Sequence, residues 1–280
     1  MRYFLLLLSL TLGGLGAAEK PLVGQVVGQK DGQLSVQVET FNRDTPLVLK
    51  LSEGDNQLSW QGHRVRFQIL KTEQGIQAQK LFPADEDGLR RMAEVTDALH
   101  RETLDKGRLV TRLPNDLMPN MALWDQDAKL VFKNDFLGAP LAVNFIFTSC
   151  RSAKMCPAST QSMKRLGDAL EKNPALAKIK LLTITFDPET DSPGVLRAYA
   201  QGYGINQQRH RFLTGDSQQI GDLMKQYGIV TVRDDGTIVH NTALILISAE
   251  GRIFGRHEGA VFDAEEIVAS FQAQLNRPAK

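Results

Sequence analysis

Residues 141–147, LAVNFIF, form an almost unbroken apolar run, and after a short loop the chain continues as PASTQSMKRLGDALEKNP. A run of this kind predicts a strand covered on both faces, which requires a sheet with layers above and below it. Pro157 suits the first position of a helix. Met163, Leu166 and Leu170 then recur at spacings of three and four, an apolar stripe along one helix face. The loop joining strand to helix holds both cysteines of the chain, Cys150 and Cys156, with five residues between them. Cys150 therefore leaves the carboxyl end of a strand and Cys156 opens a helix. In open α/β sheets that edge is where ligands bind.

The carboxyl-terminal half continues as alternating elements. KLLTITFD (180–187) reads as a strand, and a helix follows the turn DPETDSP over 192–204. RHRFLTGD (209–216) is a short strand and SQQIGDLMKQYGI (217–229) an amphipathic helix. TALILISAEGRIFGRH (242–257) gives two strands around Glu250-Gly251, and 263–275 a closing helix. This is an α/β arrangement, a thioredoxin-like domain with a mixed central sheet and helices on both faces.

The amino-terminal region has a different period. LVGQVVG, QLSVQVET, PLVLKL, HRVRFQI and GIQAQKLF, all within residues 22–82, are short alternating strands. Lys30-Asp31-Gly32, Glu53-Gly54-Asp55 and Gln61-Gly62 supply turn signals between them. Five such strands predict a small all-β, OB-like barrel. A charged helix over 85–107 follows, with Asp85, Glu86 and Asp87 at its start and Gly107 at its stop. The expected organisation is a leader at 1–18, a barrel at 19–84, a helical linker at 85–113 and the thioredoxin-like domain at 114–280.

The leader is read from MRYFLLLLSLTLGGLGAAEK: Arg2, a mostly apolar run from Tyr3 to Leu12, then small residues with a cleavage site expected after Ala18. The run is short for a span of ~20 residues. An uncleaved anchor is the alternative, and either reading exports the body of the protein. The expected location is the periplasm, free or membrane-anchored and facing it. With 33 Lys plus Arg against 32 Asp plus Glu, nothing in the charge points to nucleic acid, and the membrane enters only through that segment.

Export sharpens the question of the cysteines, because disulfides persist outside the cytoplasm. A staple across so short a loop would contribute only ~2–3 kcal/mol, and a chain of 280 residues can bury a core without it. A helix amino terminus, with Arg151 and Lys154 nearby, is expected to lower a thiol pKa. Thiolates are both nucleophiles and ligands for soft metals. Two on one loop suit Cu(I) or Zn(II), or reversible disulfide formation. The spacing is not the C-x-x-C of thioredoxin-like oxidoreductases.

The pieces VNFIFTSC, the following CP, TITFDPETDSP, RFLTG and VHNTALILISAEGRIF resemble the Sco/SenC family of copper chaperones, from about Pro114 onward. The barrel more distantly resembles the CusF-like copper-binding barrels. The Sco resemblance implies a thioredoxin fold and a copper ion, Cu(I) or Cu(II), held by two cysteines and a distant histidine. By position these are Cys150, Cys156 and His240. It also implies delivery to a respiratory oxidase subunit such as that of cytochrome c oxidase, or to another copper-site protein. The loop here is two residues longer than the family's commonest C-x-x-x-C.

His240 directly precedes the apolar strand 242–248, and no proline lies between Pro193 and Pro278. Thioredoxin-fold reductases usually place a proline opposite their cysteines at that point. Its plainer reading is a solvated loop histidine after Asp234-Asp235-Gly236. Asp187 opens the DPETDSP turn and could orient a ligand, or simply make the turn. Met155 offers a thioether but more simply packs the loop. His63, beside Arg64, is the barrel's lone histidine; no methionine lies between Met1 and Met92, and Trp60 alone makes no copper site. The barrel is thus read as metal-free, for interaction or stability. His100 and His257 are expected at the surface, and His210 sits among arginines.

Three classes follow: a copper chaperone, an exported thiol–disulfide oxidoreductase, and a binding module with a residual disulfide. The histidine favours the first over the second, and the cation-flanked cysteine pair argues against the third. No Ser-His-Asp set, phosphate-binding glycine loop or His-Glu metalloprotease motif appears.

Overall fold

Alternation between Leu22 and Pro83 closes into a barrel. A computed structural model of the chain describes residues 20–40, 45–73, 75–104, 106–234 and 237–276; the leader expected over 1–18 lies outside them. Strands β1 (Leu22–Lys30), β2 (Gln33–Val38), β3 (Leu47–Lys50), β4 (Arg64–Thr72) and β5 (Gly75–Pro83) form a closed barrel in the order β1-β2-β3-β5-β4. Val26, Leu34, Val36, Leu49, Val65 and Phe67 fill it. Asp31 and Gly32 both take positive φ, 52° and 73°, between paired Lys30 and Gln33. This is the conformation a two-residue Asp-Gly hairpin needs.

A one-turn helix, α1 (Glu53–Asn56), interrupts the barrel. Ser52 caps it: its hydroxyl accepts from the Asp55 N–H at 3.1 Å and donates to Asp55 Oδ2 at 2.7 Å. Trp60, fully buried, donates its indole N–H to the Asp55 carbonyl at 2.9 Å.

Helix α2 (Glu86–Thr103) buries Met92, Thr96, Leu99 and Thr103 at spacings of four, three and four. It ends before Gly107, which instead opens a 3₁₀ turn (Gly107–Val110) with φ +52°. Asp85 does not cap α2 with its side chain; it accepts from the Arg64 N–H and pairs with His63 Nδ1, both at 3.0 Å.

The remaining strands are β6 (Ala122–Asp125), β7 (Leu130–Phe132), β8 (Leu141–Ile146), β9 (Lys180–Thr185), β10 (His210–Thr214), β11 (Thr231–Asp234), β12 (Thr237–His240), β13 (Ala243–Ile247) and β14 (Ile253–Glu258). The helices are α3 (Cys156–Glu171), α4 (Pro193–Gly202), α5 (Ser217–Gln226) and α6 (Ala264–Leu275). Seven strands make one sheet, ordered β14-β13-β8-β9-β10-β6-β7. Strands β8, β9 and β10 run parallel and the other pairs antiparallel, so the sheet is mixed as expected. Along β8, Ala142 faces a core with Met163, Leu166, Ile267 and Phe271 of α3 and α6, whereas Val143 and Phe145 face one with Leu99, Ile220 and Leu223 of α2 and α5. Helices thus cover both faces, which is why the run is apolar throughout.

The strands β6 and β7 and the separate β11–β12 ribbon were not expected. Thr231–Asp234 and Thr237–His240 are paired strands, with Thr231 opposite His240, so His240 ends a strand and is buried, unlike the solvated loop histidine of its plainer reading. One histidine differs from its expected surface position. His100 is half-buried, with Nδ1 2.8 Å from the fully buried Asp222. His210 is buried, bonded to Thr183 Oγ1 at 2.7 Å, and burial pushes its pKa down to about 3. No helix among the described residues is long and apolar enough to cross a membrane.

Barrel and sheet meet where α1 packs on α4. The approach is backbone to backbone: a Cβ on Gly54 would lie 1.9 Å from the Gly194 carbonyl oxygen, and one on Gly194 2.1 Å from Asp55 Oδ1. Asp55 is buried there, and loss of solvent raises its pKa from 3.8 to about 6. An acid whose folded pKa is raised is more protonated in the folded than in the unfolded chain, so stability falls as pH rises from near 4 to near 6. Asp55→Asn removes that slope. Relative to the unaltered chain, the variant should gain up to roughly 2–3 kcal/mol in urea unfolding between pH 4 and pH 7. An unchanged difference across that range would show that Asp55 ionises as easily in the folded chain as in the unfolded one.

Candidate metal centre

The carboxyl end of β8 delivers Phe147 and the turn Thr148–Ser149 to the sheet edge, and Cys150 follows. Its N–H donates to the Phe147 carbonyl at 3.4 Å. Cys150 is half-buried, with Sγ 3.9 Å from the Ser152 carbonyl oxygen. Cys156 is the first residue of α3, with Pro157 next, as the strand–loop–helix pattern requires. It is fully buried, packed in the core that holds Ile146 and Phe147. Both thiols are free.

His240 ends β12 and is also buried. Its Nε2 lies 3.5 Å from Cys156 Sγ. Its Nδ1 lies 2.9 Å from the Asn241 carbonyl oxygen. A carbonyl can only accept, so Nδ1 carries the proton and Nε2 presents its lone pair to the thiol. Burial holds the imidazole below its ordinary pKa, which keeps it neutral. Phe186 packs on the ring with centroids 4.6 Å apart, and Phe147 stands edge-on at 6.1 Å.

The thiol does not behave as the helix terminus alone suggested. Arg151 and Lys154 are exposed on the loop, and burial pushes the Cys156 thiol well above its ordinary pKa, with backbone groups of Phe147 and Cys156 opposing weakly. Desolvation outweighs the helix end because the sulfur is out of water while the cations remain in it. The resting pair is thus a neutral thiol facing a neutral imidazole. A soft cation held there would take the place of the thiol proton, so its binding would release a proton.

The three expected ligands are not gathered equally. Cys156 and His240 are within reach of one another. Cys150 neighbours Cys156 closely enough to act on its titration, and its sulfur also lies 3.9 Å from the Ser152 carbonyl oxygen. No group of three or more Cys, His, Asp or Glu among the described residues is drawn together tightly enough to hold a metal ion. The donor set of two sulfurs and one imidazole nitrogen fits a soft ion of low coordination number. Completing it would call on Cys150, the half-buried cysteine of the loop.

Asp187 bonds within its own turn. Its N–H donates to Thr185 Oγ1 at 3.0 Å, and its carbonyl accepts from Thr190 and Asp191 at 3.1 and 2.9 Å, the bonds of a turn. It lines a cleft of about 520 Å³ beside the site with Phe186, Met224 and Val230. The acid that reaches the cysteine loop is Asp191, the second Asp of DPETDSP, which the sequence reading passed over. Met155 precedes α3, half-buried. In the barrel, Trp60 and the His63–Asp85 pair line a separate cleft of about 390 Å³.

Comparison with known proteins gives the family and the fold. A family model described as SCO1/SenC matches residues 110–276. The SCO1 protein homolog of Bacillus subtilis (strain 168) is 27% identical over 139 residues, 48% of this chain and 70% of that protein. Two solved structures share the fold. One is BsSco, described as a member of the Sco family of cytochrome c oxidase assembly proteins with a disulfide switch: TM-score 0.52, 22% identity, covering 60% of this chain and 99% of that one. The other is Arabidopsis thaliana ScoI with copper bound: TM-score 0.51, 19% identity, covering 57% and 98%.

Proposed function

Because the chain belongs to the SCO1/SenC family, we propose that it is an exported metallochaperone that holds one copper ion through Cys150, Cys156 and His240. It hands that copper to a respiratory oxidase subunit, such as that of cytochrome c oxidase, or to another copper-site protein. The observation that carries this reading is the 3.5 Å approach of His240 Nε2 to Cys156 Sγ with Nδ1 committed to a backbone carbonyl. Ligating histidines are usually oriented in this way. Copper is cargo here. Cys156 and His240 form the fixed, buried half of the site, and Cys150 on the accessible loop forms the half that can engage or release. A ligand that exchanges at the surface suits handover to a second protein. The organisation proposed with it is a barrel at 19–84, a helical linker at 85–113 and the copper domain at 114–280, facing the periplasm.

Anaerobic loading of the reduced, exported form with Cu(I) should give one copper per chain. Two tight sites would point to a second centre in the barrel, and no uptake would overturn the chaperone reading. A second reading is a thiol–disulfide oxidoreductase acting on the cysteines of a copper-site protein. The observation that favours it is the adjacency of two free thiols, one half-exposed and one buried.

A further inference from the structure

Helix α4 stands between the barrel and the cysteines and presents a different face to each. Gly194, Arg197, Ala198 and Gln201, spaced at three and four, form one stripe. Gly194 and Ala198 meet the backbone of α1 at Gly54. Arg197 Nε donates to Gln57 Oε1 at 3.1 Å, and Gln201 bonds the same amide. Both Asp55 Oδ1 and Ser192 Oγ at this seam are buried without a hydrogen-bond partner. Each such group costs about 1–3 kcal/mol. The close backbone approach is therefore kept against a penalty, which calls for a reason.

The other side of α4 reaches the site by two routes. Asp191, three residues before Gly194, is wholly buried. Its carboxylate accepts from the Thr148 N–H at 3.1 Å, from Thr148 Oγ1 at 2.5 Å and from Thr185 Oγ1 at 2.5 Å. Thr148 is two residues before Cys150. Tyr199 Oη shares a hydrogen bond with Thr160 Oγ1 at 2.9 Å, one turn into the helix that begins at Cys156.

We infer that α4 is a lever through which the amino-terminal barrel sets the geometry of the cysteine pair, with Asp191 as the positioning residue at its working end. The barrel clamps one face of α4, and the turn before α4 holds Thr148 and with it the approach of Cys150 to Cys156. This arrangement stabilises the dithiol, the form ready to take up a soft metal, and so raises the reduction potential of the pair. The inference rests on the reading of Cys150 and Cys156 as the working site, and not on copper.

The test is equilibration of the full chain in glutathione buffers. When the pair oxidises, two thiols lose two protons and two electrons to glutathione disulfide, which becomes two molecules of glutathione. Asp191→Asn should shift the equilibrium three- to ten-fold toward the disulfide, about 15–30 mV for a two-electron couple. Gly54→Val, which drives a side chain into the Gly194 carbonyl, should shift it in the same direction, and the double variant by less than the sum. Val48→Ala, on the exposed surface of the barrel, should leave it in place. Where Gly54→Val fails to fold, Gln57→Ala removes the polar part of the same seam and should act in the same sense. An Asp191→Asn shift with no response to the seam variants would sever the barrel from the site. No shift in Asp191→Asn, or an equal shift in Val48→Ala, would remove the lever altogether. None of these readings needs copper. Zero copper per chain with the shifts intact would therefore overturn the chaperone proposal and leave this one standing.

Discussion

Replacing His240 with Ala is expected to weaken Cu(II) binding by about a hundredfold or more and Cu(I) binding by about tenfold or less. Cu(I) is soft and accepts two thiolates alone, whereas Cu(II) is harder and draws on nitrogen and a fuller shell. The only nitrogen ligand in reach of Cys156 among the described hydrogen bonds is His240 Nε2. Thiol–disulfide exchange should change much less, because it follows the thiolate character and access of Cys150 and Cys156. Both affinities and the exchange rate can be measured on one preparation. Collapse of exchange with both copper affinities unmoved would assign His240 to thiol chemistry and replace the chaperone with the oxidoreductase.

Changing both cysteines to Ser should abolish copper uptake and leave the chain folded. At Cys156 a hydroxyl enters a fully buried position, but His240 Nε2 is already there as an acceptor. The loss of stability should therefore be about 1–3 kcal/mol rather than a collapse. Cys150 is half-buried and adds little. The core of α3 does not depend on the pair, since Met163, Leu166 and Leu170 anchor it independently. Copper per chain and urea unfolding of the double variant decide the matter. An unfolded chain would make the cysteines a structural staple, and retained copper would place the site elsewhere.

What the sequence by itself determined was local. The apolar run 141–147 and the stripe from Met163 to Leu170 set the strand–loop–helix unit, and with it the cysteines at the ligand-binding edge. Alternation and the Asp31-Gly32 turn set the barrel strands. Cys150 and Cys156 were legible as a pair because they share the loop between that strand and that helix; His240 joined them only through the family resemblance, since its local pattern read as a solvated loop. Tertiary structure decided the rest. The Cys156 thiol is pushed up rather than down because its burial comes from distant segments packed over it, a quantity no helix terminus reveals. The ring of His240 is oriented by a carbonyl beside it and a ribbon whose charged turn read as loop. Asp191 was indistinguishable from Asp187 in DPETDSP; only the fold brings it to Thr148, 43 residues away. The seam between Gln57 and Gln201 spans 144 residues. Periodicity reports on neighbours within a turn or two. The contacts that hold this site in place join segments that the chain's local pattern leaves unrelated.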